Sequence, residues 1–127
     1  MDTRIIDSGW LNVLKKFNVK VFVRSIFLQG LLINKSNLLS IKKKQRILLY
    51  KFINWCCKND VTLVSACINF VKQFKKIDYI IVGFDKSSHL NEIINVFKKK
   101  SFVVPKIFST NQQDLIDPRK WKIKRKF

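Results

Sequence analysis

The stretch from Ile77 to Glu92 constrains the fold more than any other part of this 127-residue chain. It begins with β-branched and aromatic residues at 77–84, includes Gly83, and passes through the polar segment 85–88 into apolar residues at helical spacing. This order predicts a strand, a loop and a helix. Loops at the carboxyl ends of parallel strands commonly bind ligands, and the next helix offers free N–H groups to an anion. The stretch therefore predicts a βα unit with a candidate binding loop.

A second unit of the same kind is predicted earlier in the chain. Val19–Ile26 is rich in β-branched and aromatic residues, and toward its end it is apolar on both faces. Strands with two apolar faces are typical of parallel sheets covered by helices. Gly30 follows the strand at a point where the backbone must turn or closely approach another group. We therefore expect two parallel strands, at about residues 19–26 and 77–83.

Helices are predicted before, between and after these strands. The turn at Asp7–Gly9 precedes a short helix, with Asp7 or Ser8 as its expected cap. Apolar spacing predicts a helix from Ile47 onward and another at 63–71, the latter capped by Thr62. A last helix is expected to begin near Ser88. The side chains expected to face inward are Leu48, Phe52, Trp55, Ala66, Phe70, Ile80, Val82, Leu90, Ile94 and Phe97.

The alternation of strands and helices predicts an α/β fold. Two strands alone would form a sheet only about 10 Å wide, with an unpaired edge on each side. Residues 1–127 are therefore expected to be part of a larger sheet, to which residues 1–104 contribute the β/α units. Residues 105–127 contain Pro105 and Pro118 without a clear apolar period, so we expect a basic tail lying over the surface.

The net charge of +18 suggests an anionic partner, and nucleic acid is the first candidate. However, 21 lysines against 5 arginines, with one alanine and three glycines, indicate a compositional bias of the whole chain. A phosphate-binding face would be local and would favour arginine. A small module that binds nucleic acid or another polyanion, with Lys42–Arg46 and Arg119–Phe127 as its basic clusters, is therefore the alternative function. The preferred interpretation of Lys42–Arg46 is a surface loop leading into a helix.

No apolar run approaches the length needed to cross a bilayer, so a cytoplasmic protein without membrane contact is expected. Cys56, Cys57 and Cys67 fit neither a disulfide framework nor a metal site, and we expect them to be small buried hydrophobic residues. No metal site is predicted.

Several separated blocks of the chain resemble the carboxyl-terminal portion of bacterial aldo/keto reductases. They occur in the same order and with the same gaps as in that family, and the resemblance runs from about residue 5 to residue 121. The blocks are Val23–Leu32, Phe52–Trp55, Ser65–Val71, Ile80–Asp85 and Asp117–Trp121.

The resemblance implies a (β/α)8 TIM barrel of which this chain holds the last third, with its two strands similar to the seventh and eighth strands. The family transfers hydride from NADPH or NADH to a small carbonyl substrate. Its loop after strand seven passes the cofactor pyrophosphate, and its loop after strand eight holds the adenosine end. The residues implied to bind the cofactor are Ser25, Phe27, Gly30, Gly83, Lys86, His89 and Glu92.

The chain departs from the family at two points. The arginine that many members place on the 2′-phosphate is absent, and Lys86 or a protonated His89 would replace it, which leaves NADP and NAD both open. The catalytic Asp, Tyr, Lys and His of the family lie on earlier strands, and neither Tyr50 nor Tyr79 stands in their context. No catalytic residue is therefore assigned. The chain is expected to be inactive alone, as a truncated or split gene product or as a fragment of a longer chain, and its candidate partner is a complementary chain that carries the earlier strands. A third hypothesis is a structural partner that completes another chain's barrel.

Overall fold

The computed structural model describes residues 1–34, 38 and 41–121. In chain order these residues form helices, two short strands and two 3-10 turns. They are α1 (Arg4–Asp7), α2 (Trp10–Lys16), β1 (Phe22–Val23), α3 (Lys43–Lys58), α4 (Leu63–Lys72), β2 (Tyr79–Ile80), α5 (Ser87–Lys98), a 3-10 turn (Lys106–Phe108), α6 (Gln113–Ile116) and a second 3-10 turn (Pro118–Lys120).

β1 and β2 form a two-stranded parallel sheet, with Phe22 opposite Tyr79 and Val23 opposite Ile80. The Val23 carbonyl accepts a hydrogen bond from the Ile81 N–H at 2.8 Å, just beyond the strand ends. The carboxyl ends of both strands therefore lie on the same side of the sheet.

Both strands are shorter than the predicted ranges of 19–26 and 77–83, which were wrong in extent. Asn18 and Ser25 adopt left-handed backbone conformations, with φ of 54° and 58°. A left-handed residue interrupts the extended backbone that a parallel ladder requires. β1 is therefore confined between these two residues, and β2 pairs only where β1 is extended.

The helix α3 begins at Lys43, a few residues before the expected start, and α4 begins at Leu63 as predicted. The Thr62 Oγ1 accepts a hydrogen bond from the Ser65 N–H at 3.1 Å, which confirms the predicted cap. The other predicted cap was wrong: Gly9, in a left-handed conformation, stands at the N-cap of α2 and provides no side-chain cap. Ser36, Asn37 and Ser40, polar residues that precede α3 in the sequence, lie outside the described residues.

The main core lies between α3, α4 and the segment after α5. Phe52 on α3 is 2% exposed, and its ring contacts that of Phe108 at a centroid distance of 5.5 Å. Core residues supplied by the helices and loops include Leu31, Leu32, Leu49, Phe52, Cys56, Ala66, Cys67, Phe70, Val104, Phe108, Leu115 and Ile116.

Residues 105–121 do not lie over the surface as expected. Phe108, Leu115 and Ile116 are buried in the main core, and the Trp121 Nε1 donates a hydrogen bond to the Leu115 carbonyl at 2.9 Å. This segment forms two short 3-10 turns and the four-residue helix α6 and not one long helix. The apolar side chains that reach the core therefore follow no regular spacing in the sequence. Residues 122–127, the last part of the predicted basic tail, lie outside the described residues.

The inward face of α5 differs from the prediction by one residue. Ile93 and Val96 are buried against Ile68 of α4, whereas Ile94 and Phe97 are 40% and 43% exposed. The other eight side chains expected inside are buried or half-buried. The apolar spacing thus predicted the helix correctly, but two of the side chains expected to face inward lie one position after the ones that are buried.

Two of the three cysteines are buried as expected, and Cys57 is exposed, which corrects the third prediction. Burial raises the pKa of the Cys56 thiol to about 11 and that of the Cys67 thiol to about 12. Both buried thiols are therefore protonated at neutral pH. Within the described ranges, no helix has the length and apolar character that spanning a membrane requires.

Candidate functional site

A groove of about 810 Å³ opens at the carboxyl ends of β1 and β2. The parallel pairing sends both following loops to the same side, so the loop at 24–34 and the segment at 81–93 line one groove together. Six of the seven residues that the resemblance implied for cofactor binding line it: Ser25, Phe27, Gly30, Gly83, His89 and Glu92. Lys86 does not line the groove. It stands at the N-cap of α5 with an exposed side chain.

The loop after β1 has a strained backbone. Leu28 and Gln29 have φ of 49° and 52°, Gly30 has φ of 78°, and Ser25 has already turned to 58°. The left-handed region costs a residue with a Cβ roughly 1–2 kcal/mol. Leu28 is buried in the main core, which holds the loop in this conformation. Strained backbone of this kind is often concentrated at ligand sites.

The loop after β2 leads directly into α5. This twelve-residue helix begins at Ser87, and its first turn adjoins the groove through His89. The first N–H groups of a helix have no intrahelical acceptor and favour an anion at that end. The helix therefore places a partial positive charge near the groove wall.

Asp85 and His89 form a hydrogen-bonded pair at the start of α5. The Asp85 Oδ1 lies 2.7 Å from the His89 Nδ1. This hydrogen bond is the main reason that the pKa of Asp85 is lowered, so the carboxylate is charged at neutral pH. The pair orients the imidazole and leaves its Nε2 as the ring nitrogen available to a ligand.

The charge of the groove differs from that of the chain. Among the described residues that line it, Arg24 is the one lysine or arginine, and Asp85 and Glu92 are carboxylates. The excess positive charge of the protein thus lies elsewhere. A groove with one cation, two carboxylates and apolar side chains suits a ligand with few phosphates and a polar base better than a polyanion.

Sequence reasoning did not single out Arg24, although it lies one residue beyond β1 and lines the groove. Its position at a strand end was the available signal, because side chains at the carboxyl ends of parallel strands meet at one edge. Gln29 and Asn34, which also line the groove, gave no such signal.

The two tyrosines do not reach this groove. Tyr50 is 51% exposed on α3, and the Tyr79 ring stacks on Phe22 at a centroid distance of 4.6 Å. The residues that the structure describes contain no cluster of three or more His, Cys, Asp or Glu side chains able to hold a metal ion. Neither tyrosine is therefore positioned to act as a general acid in this groove.

A second cavity of about 380 Å³ lies on the other side of the loop after β1. Phe70, Val71 and Phe74 supply much of its apolar wall, and Arg24 and Ser25 are shared with the groove. The loop after β1 is therefore the partition between the two spaces.

Comparison with protein-family models, with curated proteins and with solved structures finds no match to this chain in any of the three.

Proposed function

We propose that this chain is the carboxyl-terminal part of an aldo/keto reductase-like oxidoreductase, a (β/α)8 barrel enzyme, and that its groove is part of an NAD(P)-binding rim. The observation that carries the proposal is the parallel pairing of β1 and β2. It brings the loop at Ser25–Gly30 and the segment at Gly83–Glu92 to the same groove. An antiparallel pairing would have sent these two loops to opposite ends of the sheet.

The groups in the groove suit the adenosine end of a dinucleotide. Arg24 supplies a cation for phosphate, and Glu92 offers an acceptor to a base amino group or a ribose hydroxyl. The imidazole of His89 is paired with Asp85 through its Nδ1 and would offer its Nε2 to a polar ligand. Lys86, exposed at the N-cap of α5 and outside the groove lining, is proposed to act on a 2′-phosphate and not on the rest of the nucleotide.

The chain by itself is proposed to be inactive. Proton transfer to a carbonyl needs an acid within hydrogen-bond reach of the substrate oxygen, and Tyr50 and Tyr79 both lie away from the groove. A complementary chain with the earlier strands would supply the catalytic groups and the site for a small carbonyl substrate. The charge of the groove counts against nucleic acid as its ligand.

Titration of 2′,5′-ADP and of 5′-AMP by calorimetry, at low and at physiological salt, tests the proposal. We expect Arg24→Ala and His89→Ala to weaken both ligands about tenfold or more, since a hydrogen bond to a charged group contributes about 1.5–3 kcal/mol. Lys86→Ala should weaken 2′,5′-ADP more than 5′-AMP if the site prefers NADP. Equal losses for both ligands would assign Lys86 no role in cofactor choice.

The matched control is Lys98→Ala, which removes one positive charge at the opposite end of α5. It should leave both affinities within about twofold, because exposed charges that far apart are screened by salt. If Lys98→Ala weakens binding as much as Arg24→Ala, and binding falls steeply with salt, the chain is a nonspecific polyanion binder. Oxidation of NADPH by the chain with aldehydes, abolished by Tyr79→Phe, would contradict the proposed inactivity.

A further inference from the structure

One face of the parallel sheet is not covered by any described part of the chain. Phe22, Tyr79 and Ile81 are 57%, 51% and 54% exposed, and together they form what we name the outer sheet face. The Phe22 and Tyr79 rings stack nearly in parallel, with an interplanar angle of 17°. On the opposite face, Val21 is only 4% exposed. Parallel sheets are normally buried on both faces, so the outer sheet face is suited to a partner.

Within the described ranges, both edges of this sheet also lack a neighbouring strand. The Val21 carbonyl accepts a hydrogen bond from the Tyr79 N–H, and the Val23 carbonyl accepts one from the Ile81 N–H. The N–H and C=O groups of Phe22, between them, therefore point to the other edge of β1. By the same alternation, the backbone groups of Ile80 point away from β1. Among the residues that the structure describes, no third strand lies beside either edge. Each edge is therefore a template for an added strand.

The side chains around the sheet give the sign of the partner's charge. Lys20, Arg24 and Lys76 are exposed next to the ends of the two strands. Asp78, the carboxylate next to β2, already has partners within the chain. It pairs with Lys15 and Lys20 and accepts a hydrogen bond from the Val21 N–H at 2.8 Å. The surroundings of the outer sheet face are therefore positively charged.

A second copy of the chain is a poor partner for this face. Each copy has a formal net charge of +18, and like charge of that size opposes association. A polypeptide with acidic side chains would instead be attracted to the same surface, and its backbone would satisfy the open edges.

We infer that the outer sheet face and its open edges bind an acidic polypeptide, which adds a strand beside β1 or β2 and places apolar side chains next to Phe22 or Tyr79. This inference rests on the part of the proposed function that invokes a complementary chain, and it specifies the chemistry of that chain. It does not depend on what the groove binds.

The test uses two labelled peptides of the same composition and charge, five valines and five glutamates each. In one the residues alternate, so that a strand has an apolar face and an acidic face, and in the other they form two blocks. Fluorescence anisotropy measures the binding of each peptide to the full chain at physiological salt. We expect the alternating peptide to bind at least tenfold more tightly than the block peptide. Equal binding would overturn the inference, because charge alone would then explain it.

Variants locate the binding surface. The double variant Phe22→Ala, Tyr79→Ala should weaken the alternating peptide at least tenfold, whereas Ile107→Ala, which removes a 70% exposed side chain on the remote 3-10 turn, should change it less than twofold. Unchanged affinity in the double variant would overturn the inference. A concentration-dependent dimer in sedimentation velocity, abolished by the double variant, would overturn it in favour of a second copy.

Two readouts separate this result from failure of the fold or of the nucleotide proposal. The double variant should keep the helical circular dichroism of the parent, and its affinity for 2′,5′-ADP should equal that of the parent. Peptide binding without nucleotide binding would count against the proposed function alone. Nucleotide binding without peptide binding would count against this inference alone.

Discussion

The helical side and the sheet side of this protein bury their apolar residues to very different extents. On the helical side, Phe52, Ala66 and Phe70 are at most 2% exposed, and the segment after α5 closes over them. On the sheet side, Phe22 and Tyr79 are more than half exposed on strands of two residues each. The helical side can therefore account for most of the stability of the chain, whereas the aromatic side chains of the sheet side are exposed to solvent.

The difference also separates two kinds of backbone. α3 and α4 are regular helices with a side-chain cap on α4, whereas the loop at 25–30 contains several left-handed residues. A strained backbone conformation is tolerated where the packing of the surrounding core fixes it in place. Here the buried Leu28 connects the strained loop to the helical core, so the core supports the groove.

The largest expected effect tests whether the segment after α5 belongs to the helical side. Phe108 is 6% exposed and contacts Phe52 and Trp55, whereas its neighbour Ile107 is 70% exposed. Phe108→Ala should lower the free energy of unfolding by about 3–5 kcal/mol, because it removes a buried ring and leaves a cavity.

Ile107→Ala is the matched control, and it should change the free energy of unfolding by about 0.5 kcal/mol or less. Urea denaturation followed by circular dichroism measures both variants. Small and equal effects would show that residues 105–121 are a surface layer after all.

A middle-sized effect concerns the strained loop of the groove. Gly30 has φ of 78°, and alanine at this position should destabilise the protein by about 1–2 kcal/mol. Gly83 lines the same groove without a left-handed φ, and an added Cβ there would meet nothing within 4 Å. Gly83→Ala should therefore be neutral or stabilising by up to about 1 kcal/mol.

Thermal unfolding of the two glycine variants measures the comparison. If both substitutions destabilise the protein equally, the left-handed conformation at Gly30 is not required. The loop after β1 would then be no more constrained than the loop after β2.

The smallest effect concerns the carboxylate of Asp78, next to β2. Asp78 accepts hydrogen bonds from Lys15 and from the Val21 N–H, and these lower its pKa in the folded protein. A carboxylate with a lowered folded pKa stabilises the protein above its unfolded pKa of about 3.9, and this contribution is lost as pH falls through the folded value. Asp78→Asn should therefore be less stable than the parent at pH 7.

Urea denaturation between pH 7 and pH 2.5 should show the parent and Asp78→Asn converging below about pH 4. The difference should be small, because the pair lies near the surface and is screened by water. If the difference in unfolding free energy between the parent and Asp78→Asn stays constant down to pH 2.5, the charge of the Asp78 carboxylate does not stabilise the sheet.

Much of the helical side could be predicted from the sequence. The apolar spacing of α3 and α4 and the cap at Thr62 depend on local rules, and the structure agrees with them. The buried positions of Phe108 and Leu115 could not be predicted, because a non-helical segment has no period that marks its inward side. The one-residue offset on α5 arose because Ile93 and Ile94 are both apolar, and only contact with Ile68 decides which is buried.

The groove could be predicted only in part. The two predicted strands and the glycines that follow them indicated two loops, and the parallel pairing of the strands brings Ser25 and Gly83 to the same groove. The family resemblance implied that Lys86 belongs to the same set, but its side chain at the helix start is exposed outside the lining. The direction of a long side chain in a first helical turn depends on local backbone geometry, which residue spacing does not specify.

The parallel sheet also bears on the order in which the chain folds. Val21 and Asp78, hydrogen-bonded across it, are 57 residues apart, and closing a loop of that length costs about 3–4 kcal/mol of chain entropy. Only two residues of each strand pair in return, whereas α3 and α4 meet across a short turn. We therefore expect the helical pair to form early and the sheet to close late, since contacts between distant residues form slowly. A newly made chain would thus expose its strand edges longest, at the surface where a partner strand is inferred to add.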